Sequence, residues 1–210
     1  MSAYDALLHR RSHSKVGLRA PSHTELLRLI DAAATVADHS SLRPWRLIAL
    51  RGEQRDALGQ AFANAAAAGG GSAGAGGGGG AWAAAESRGD AAGGAMDVDG
   101  PARDKFVAKA RRAPLLIAIV ASPKPSEKVA EWEQAAVAAG VAHNLTLLLD
   151  EAGWGVIWRT GNLTRTEPVR RLHRLAPNEQ LLGWLYVGDA PPGREMRRKR
   201  PNPADFLTEL

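Results

Sequence analysis

There is no cysteine among the 210 residues. Disulfides, thiolate-held zinc, iron–sulfur clusters and cysteine nucleophiles are therefore excluded, and redox chemistry here requires a bound cofactor. No stretch approaches the roughly 18 consecutive apolar residues of a membrane span. The N-terminus carries Asp5 and His9-Arg10-Arg11 where a secretory signal has its apolar run, so the expected location is the cytoplasm. There is no G-x-S-x-G elbow and no P-loop. Asp38, Asp150 and Glu151 have no sequence neighbour that would make a hydrolase pair. His9 and His13 stand four apart, but Arg10 and Arg11 between them oppose a cation, so no metal site is expected. Acidic residues number 22 against 27 Lys and Arg, for a net charge of +5. That suits anionic ligands, yet four of the six Trp sit in apolar contexts instead of interleaving with basic residues, which argues against a nucleic-acid module.

What is present is an ordinary globular composition, 45% hydrophobic, long enough for one domain with a substantial core. Ala3 to His9 reads as a short helix. Ser22, with Glu25 three residues on, has capping-box spacing ahead of the helical series Leu26, Leu29, Ile30, Ala33. Trp45 to Leu50 alternates as a strand, with Trp45, Leu47 and Ala49 on one face and Arg46, Ile48 and Leu50 on the other. Helices are expected over Glu53 to Asn64 and Pro101 to Arg111, and Pro114 to Ala121 reads as a buried central strand. Ser126 to Gly153 is the longest helical segment. Its middle, Ala135 to Ala142, is apolar all round and is expected to be buried on every side. Gly153 to Trp158 is strand-like, Glu167 to Leu175 helical, and Gln180 to Gly188 the last clear strand. Prolines then give an extended arm, 189–210, with a possible short strand near Phe206-Leu207. Its basic run Arg194 to Arg200 is a solvated arm, a phosphate contact or a subunit-wrapping segment. Strands and helices neither alternate nor segregate strictly. That favours α+β with a mixed sheet over a doubly wound fold.

Between Ala65 and Ala95, 25 of 31 residues are Ala or Gly, too small to offset chain entropy by burial, and a flexible insertion is expected. Its Gly74-Ala75-Gly76-Gly77-Gly78-Gly79 satisfies the dinucleotide fingerprint G-x-G-x-x-G only because a glycine tract satisfies almost any glycine pattern; no strand precedes it.

Three short islands have the residue types that a phosphate-bearing aromatic ligand requires. In Arg10-Arg11-Ser12, Arg offers a planar fork and Ser a short donor. At i and i+2 of an extended loop, Arg10 and Ser12 converge on one side while Arg11 points elsewhere. Cations facing a helix C-terminal dipole produce the same letters. The second island is Thr35 and His39, spaced to share a helical face, with Arg43-Pro44-Trp45. The third is Trp158-Arg159-Thr160-Gly161 at a strand end, where backbone N–H groups can meet a ring edge and Gly permits close approach. An exposed turn after a strand is the plainer alternative.

In their order and surroundings these islands resemble the FMN-dependent nitroreductase family, in its small bacterial NAD(P)H branch. The resemblance runs from Tyr4 to about Trp45 and from Arg111 to about Gly188. The Arg-Arg-Ser triplet matches letter for letter. Asp38-His39 matches an Asp-His pair, Arg43 stands for a Gln before Pro-Trp, and Thr160 for a Ser. Glu131-Trp132-Glu133-Gln134 matches a Trp-Glu-Gln stretch. The resemblance implies an α+β fold with a mixed sheet flanked by helices, and a long central helix at the core of a homodimer with flavin at the subunit interface. It implies FMN held by Arg10, Arg11, Ser12, Thr35, His39, Arg43, Trp158, Arg159 and Thr160, with NADH or NADPH as co-substrate and a small electron-poor acceptor, a nitroaromatic or quinone. No side chain is expected to act as a nucleophile, since the cofactor carries the chemistry. A flavin-dependent dehydrogenase or dehalogenase, or a flavin-binding protein without turnover, stays open at this point.

Overall fold

Capping and apolar spacing decide where the helices begin. A computed structural model of the chain describes residues 2–68, 100–192 and 201–209. The first helix, α1 (Ala3–His9), opens with a reciprocal box in which the Ser2 hydroxyl accepts from the Asp5 N–H and the Asp5 carboxylate accepts from Ser2. In α2 (His23–Ala33) Ser22 accepts from the Glu25 N–H, but the box is only half made. The Glu25 carboxylate instead accepts from the Trp154 indole at 2.7 Å, which fastens α2 to a distant strand.

Four strands follow: β1 (Trp45–Leu50), β2 (Leu115–Ala121), β3 (Trp154–Arg159) and β4 (Gln180–Asp189). They lie in the order β1-β2-β4-β3. Every pairing is antiparallel, so the α+β class stands while the sheet among the described residues is antiparallel and not mixed. Helices cover both faces, so β2 is buried throughout. Its Leu115, Ile117 and Ile119 join Leu26, Leu29, Val141, Leu145 and Leu149 of α2 and α5 (Glu131–Glu151). Its Leu116, Ala118 and Val120 face the other way. There they meet Leu58 and Phe62 of α3 (Glu53–Ala67), Ala110 of α4 (Pro101–Ala110) and Val169 of α6 (Glu167–Leu172).

Two expectations change. The long helix starts at Glu131, because the Ser126 hydroxyl accepts from the Lys128 and Val129 N–H groups and turns the chain before it. Nor is α5 buried on every side. Ala136 and His143 are exposed along one stripe, and Gly140 between them is half-buried, an added Cβ there lying 2.6 Å from the Val36 side chain. Of the expected insertion, 65–95, residues 69–95 with the glycine fingerprint lie outside the described residues, as does the basic run 194–200. Its first four residues, 65–68, instead finish α3 and its cap. At the C-terminal end Phe206 and Leu207 form no strand; they follow a single 3₁₀ turn, Pro203–Asp205, and stand 79% and 70% exposed. No helix among the described residues is long and apolar enough to cross a membrane.

Candidate cofactor site

The first island leaves α1 in extended conformation, Arg10 having ψ 132°. The segment then passes the outer edge of β3, where the His13 N–H donates to the Val156 carbonyl at 2.9 Å, and reaches the end of β4, where the Gly17 N–H donates to that of Asp189 at 2.9 Å. Extended chain alternates its side chains, so residues 10 and 12 face one way and 11 and 13 the other. Arg10 Nη1 lies 3.5 Å from Ser12 Oγ, and among the described residues no carboxylate pairs with Arg10. The Arg11 guanidinium turns back to donate to the Leu8 and Arg10 carbonyls at 2.7 and 3.0 Å, closing the end of α1. Its backbone N–H donates to Asp150 Oδ1 at 3.3 Å, and His13 Nε2 stands 3.7 Å from that oxygen. Sequence reasoning passed over Asp150 as an acid without a partner. Its signal was a carboxylate in the last turn of a helix, where the dipole disfavours it.

The third island closes β3 against β4, with Trp158 opposite Leu185 and Arg159 opposite Trp184. Trp158 packs toward α5, edge-on to His143 with ring centroids 5.1 Å apart. Arg159 turns to the other face, its guanidinium 5.4 Å from the centre of the Tyr186 ring, and burial pushes the Tyr186 hydroxyl up to about 12. The two side chains therefore serve different faces. What the island offers on a shared side is its backbone: Thr160 and Gly161 are exposed, and Gly161 has φ 128° with open space around it.

The second island departs from the helical reading. Helix α2 ends at Ala33, and the Thr35 hydroxyl donates to the Ala32 carbonyl, unwinding the chain before His39. Thr35 and His39 therefore share no helical face, although both are exposed. His39 instead opens a tight turn, its Nδ1 3.4 Å from Glu133 Oε2 at the start of α5. Asp38 Oδ2 accepts from the Arg43 N–H at 2.7 Å. Ser40, Ser41 and Arg43 all have positive φ, at 61°, 52° and 49°. Each such residue costs on the order of 1 kcal/mol, and strain of this kind gathers at ligand clamps.

The islands thus fall into two groups, each a candidate half-site. His39 sits by Glu133 and Arg11 by Asp150, at opposite ends of α5, about 26 Å apart at ~1.5 Å per residue. Fit to FMN is tested by what the Arg10 end leaves unsatisfied. Arg10 and Ser12 present donors with no internal acid, and Trp158 Nε1 and Arg159 Nε are buried without a hydrogen-bond partner. Donor-rich and free of opposing carboxylates on its ligand side, the first half suits a phosphate. The exposed loop at Thr160-Gly161 suits the edge of a flat ring. No cluster of three or more potential metal ligands occurs among the described residues.

A second polar centre, absent from the sequence reading, lies on the α6 side of the sheet. His173, 3% exposed, donates from Nδ1 to the Val169 carbonyl at 2.8 Å and accepts at Nε2 from the Trp184 indole at 3.0 Å. Burial lowers its pKa. Beside it Arg46 Nε and Nη2 each lie 2.7 Å from the Glu179 carboxylate. That hydrogen bonding holds Glu179 at about 2. Every polar contact in this centre is internal, so we assign it to stability.

An antiparallel sheet between helical layers, with Arg10 and Ser12 on an extended segment at one edge and the exposed Thr160-Gly161 loop at a strand end, defines an α+β protein with a candidate site for a phosphate-bearing flat ring. Residues 7–189 match the model of the nitroreductase family, and the chain belongs to that family. It is 28% identical over 212 aligned residues to Escherichia coli K12 YdjA, which carries an NAD(P)H nitroreductase name; the alignment covers 99% of each chain. A Haemophilus influenzae protein with the same kind of name is 24% identical, with both chains fully covered. Among solved structures, a nitroreductase-like protein from Bacillus cereus superposes with a TM-score of 0.73 at 18% identity, covering 100% of this chain and 96% of that one. The FMN and NADPH-dependent nitroreductase NfnB of a Sphigopyxis strain gives 0.68 at 18% identity, covering 100% and 99%.

Proposed function

We propose that the protein reduces electron-poor acceptors, nitroaromatics or quinones, at the expense of NADH or NADPH, both substrates using one site in turn. As a nitroreductase-family member it is an NAD(P)H-dependent oxidoreductase whose cofactor is FMN. When bound, FMN supplies the two-electron chemistry. The chain's own residues grip and shape. Arg10 and Ser12 hold the phosphate; Trp158 walls the ring from the α5 side; the Thr160 and Gly161 backbone N–H groups face the ring edge where negative charge gathers.

The observation that carries this reading furthest is the division of the islands between the two ends of α5. Between them runs the exposed stripe through Ala136 and His143. A second copy packed antiparallel on that stripe sets its own 38–43 loop beside the first chain's Arg10 and Trp158. Thr35, His39 and Arg43 then serve the partner's cofactor, and the homodimer carries two equivalent sites.

The test is anaerobic. FMN-loaded protein should lose its flavin absorbance on adding NADPH or NADH and regain it on adding a nitroaromatic or quinone. Initial rates should give parallel double-reciprocal lines. Protein that binds FMN but keeps its absorbance under excess of both nucleotides contradicts the reading.

A further inference from the structure

The segment from Arg10 to His13 has its two sides anchored unequally. On the odd side, the Arg11 N–H meets Asp150 Oδ1 at 3.3 Å, His13 Nε2 stands 3.7 Å from the same oxygen, and the Arg11 guanidinium closes α1. On the even side, among the described residues, the Arg10 and Ser12 side chains hydrogen-bond only to each other, at 3.5 Å. Asp150 is the last residue but one of α5. A carboxylate there meets the negative end of the helix dipole, which disfavours it. Close to a phosphate cradle it also adds repulsion. Both effects argue against an acid at this position unless its contacts to the loop return more than they cost.

We infer that Asp150 is a positioning residue: by accepting from the Arg11 N–H and pairing with His13, it fixes the odd side of the loop and thereby aims Arg10 and Ser12 at the FMN phosphate. The inference rests on the assignment of that phosphate to Arg10 and Ser12. Asp150 itself does not touch the cofactor. It fixes the register of a short extended segment, and in such a segment a rotation of one residue exchanges the ligand-facing and anchored side chains. Edge pairing of His13 to Val156 fixes one end of the segment and α1 the other. Asp150 is the side-chain contact in between.

The experiment compares FMN with riboflavin, which lacks the phosphate, by quenching of flavin fluorescence on titration into purified protein. Wild type is expected to bind FMN at least tenfold more tightly than riboflavin. Equal affinities would defeat the phosphate assignment itself, before Asp150 is considered. Given that preference, Asp150→Ala should weaken FMN about fivefold and leave riboflavin within twofold. Asp150→Asn keeps an acceptor for the Arg11 N–H and should restore most of the FMN affinity. If the alanine variant does not fold, Asp150→Ser, too short to reach the Arg11 N–H, takes its place with the same expectation. FMN affinity unchanged in the alanine or serine variant overturns the inference. So does an equal loss for both ligands, or an asparagine variant as weak as alanine.

Discussion

At the scale of single residues, Arg10 carries the largest expectation. Arg10→Ala removes a charge-assisted contact worth about 1.5–3 kcal/mol, or roughly ten- to a hundredfold in FMN affinity. Riboflavin binding should change far less, and titrating both ligands into the variant checks this. Arg11→Ala should act mainly on the end of α1. Acid stability belongs to other residues. Burial lowers the His173 pKa from 6.5, so the unfolded chain takes up a proton that the fold resists, and stability should fall as pH drops below about 6.5. Glu179, held at about 2 against an ordinary 4.5, contributes stability above 4.5 that is lost as pH falls from there toward 2. Melting temperature followed from pH 8 to about pH 2 should therefore decline in two stages, and His173→Gln should flatten the first. The Arg10 and Ser12 pairing was legible in the sequence because alternation in an extended segment is local. His173 was not, since its meaning comes from an indole on another element. The resemblance names Arg159 among the residues that hold FMN, and its side chain turns to Tyr186; strand alternation between Trp158 and Arg159 contained that direction.

At the scale of elements, the sensitive point is the junction of β3 and β4. Gly183 has φ 137°, and an added Cβ would fall on the Arg159 carbonyl oxygen and 2.7 Å from Trp158 Nε1. It sits where the β2–β4 register shifts between Ile119 and Val120, and such bulges bend a strand. Gly183→Ala should destabilise by about 2–3 kcal/mol, lowering the melting temperature by roughly 4–12 °C. It should also displace the Trp158 to Gly161 segment, so residual FMN affinity should fall with it. A variant melting like wild type would show that this strand end tolerates a side chain. Helix starts marked by a cap ahead of a periodic face, such as that of α2 at Ser22, were readable from sequence. The start of α5 was not, because Val129 and Ala130 extend the apolar pattern upstream while the Ser126 turn delays the helix to Glu131. The unwinding after Ala33 was equally hidden, since the Thr35 hydroxyl competes for a helix carbonyl without changing the spacing of the letters.

At the scale of the whole molecule, the sequence pattern led to the α+β class and the long helix but left the helix's environment to tertiary structure. Apolar residues all round a helix signal burial without saying whether the cover comes from the same chain. Here one side is covered by the sheet and α2, and the stripe through Ala136 and His143 is left open. Tyr4 and Leu7 on α1 are 69% and 60% exposed, and Trp132 at the head of α5 is 63% exposed. Sedimentation at micromolar concentration should give a mass near twice 22.2 kDa. A flavin-loaded monomer would remove the arrangement on which the two half-sites depend.

Subunit complementation tests that arrangement most directly. Arg10→Ala damages one half-site, and the double variant His39→Ala with Arg43→Ala damages the other. Each homodimer alone should bind FMN weakly at both sites. A heterodimer of the two carries both lesions in one site and none in the other, so it should recover one wild-type site. Purified by two different affinity tags, it should bind close to one tightly held FMN per two chains and be reduced by NAD(P)H at that site. A heterodimer binding FMN no better than its parents would contradict a site built from the Arg10 end of one chain and the His39 end of the other.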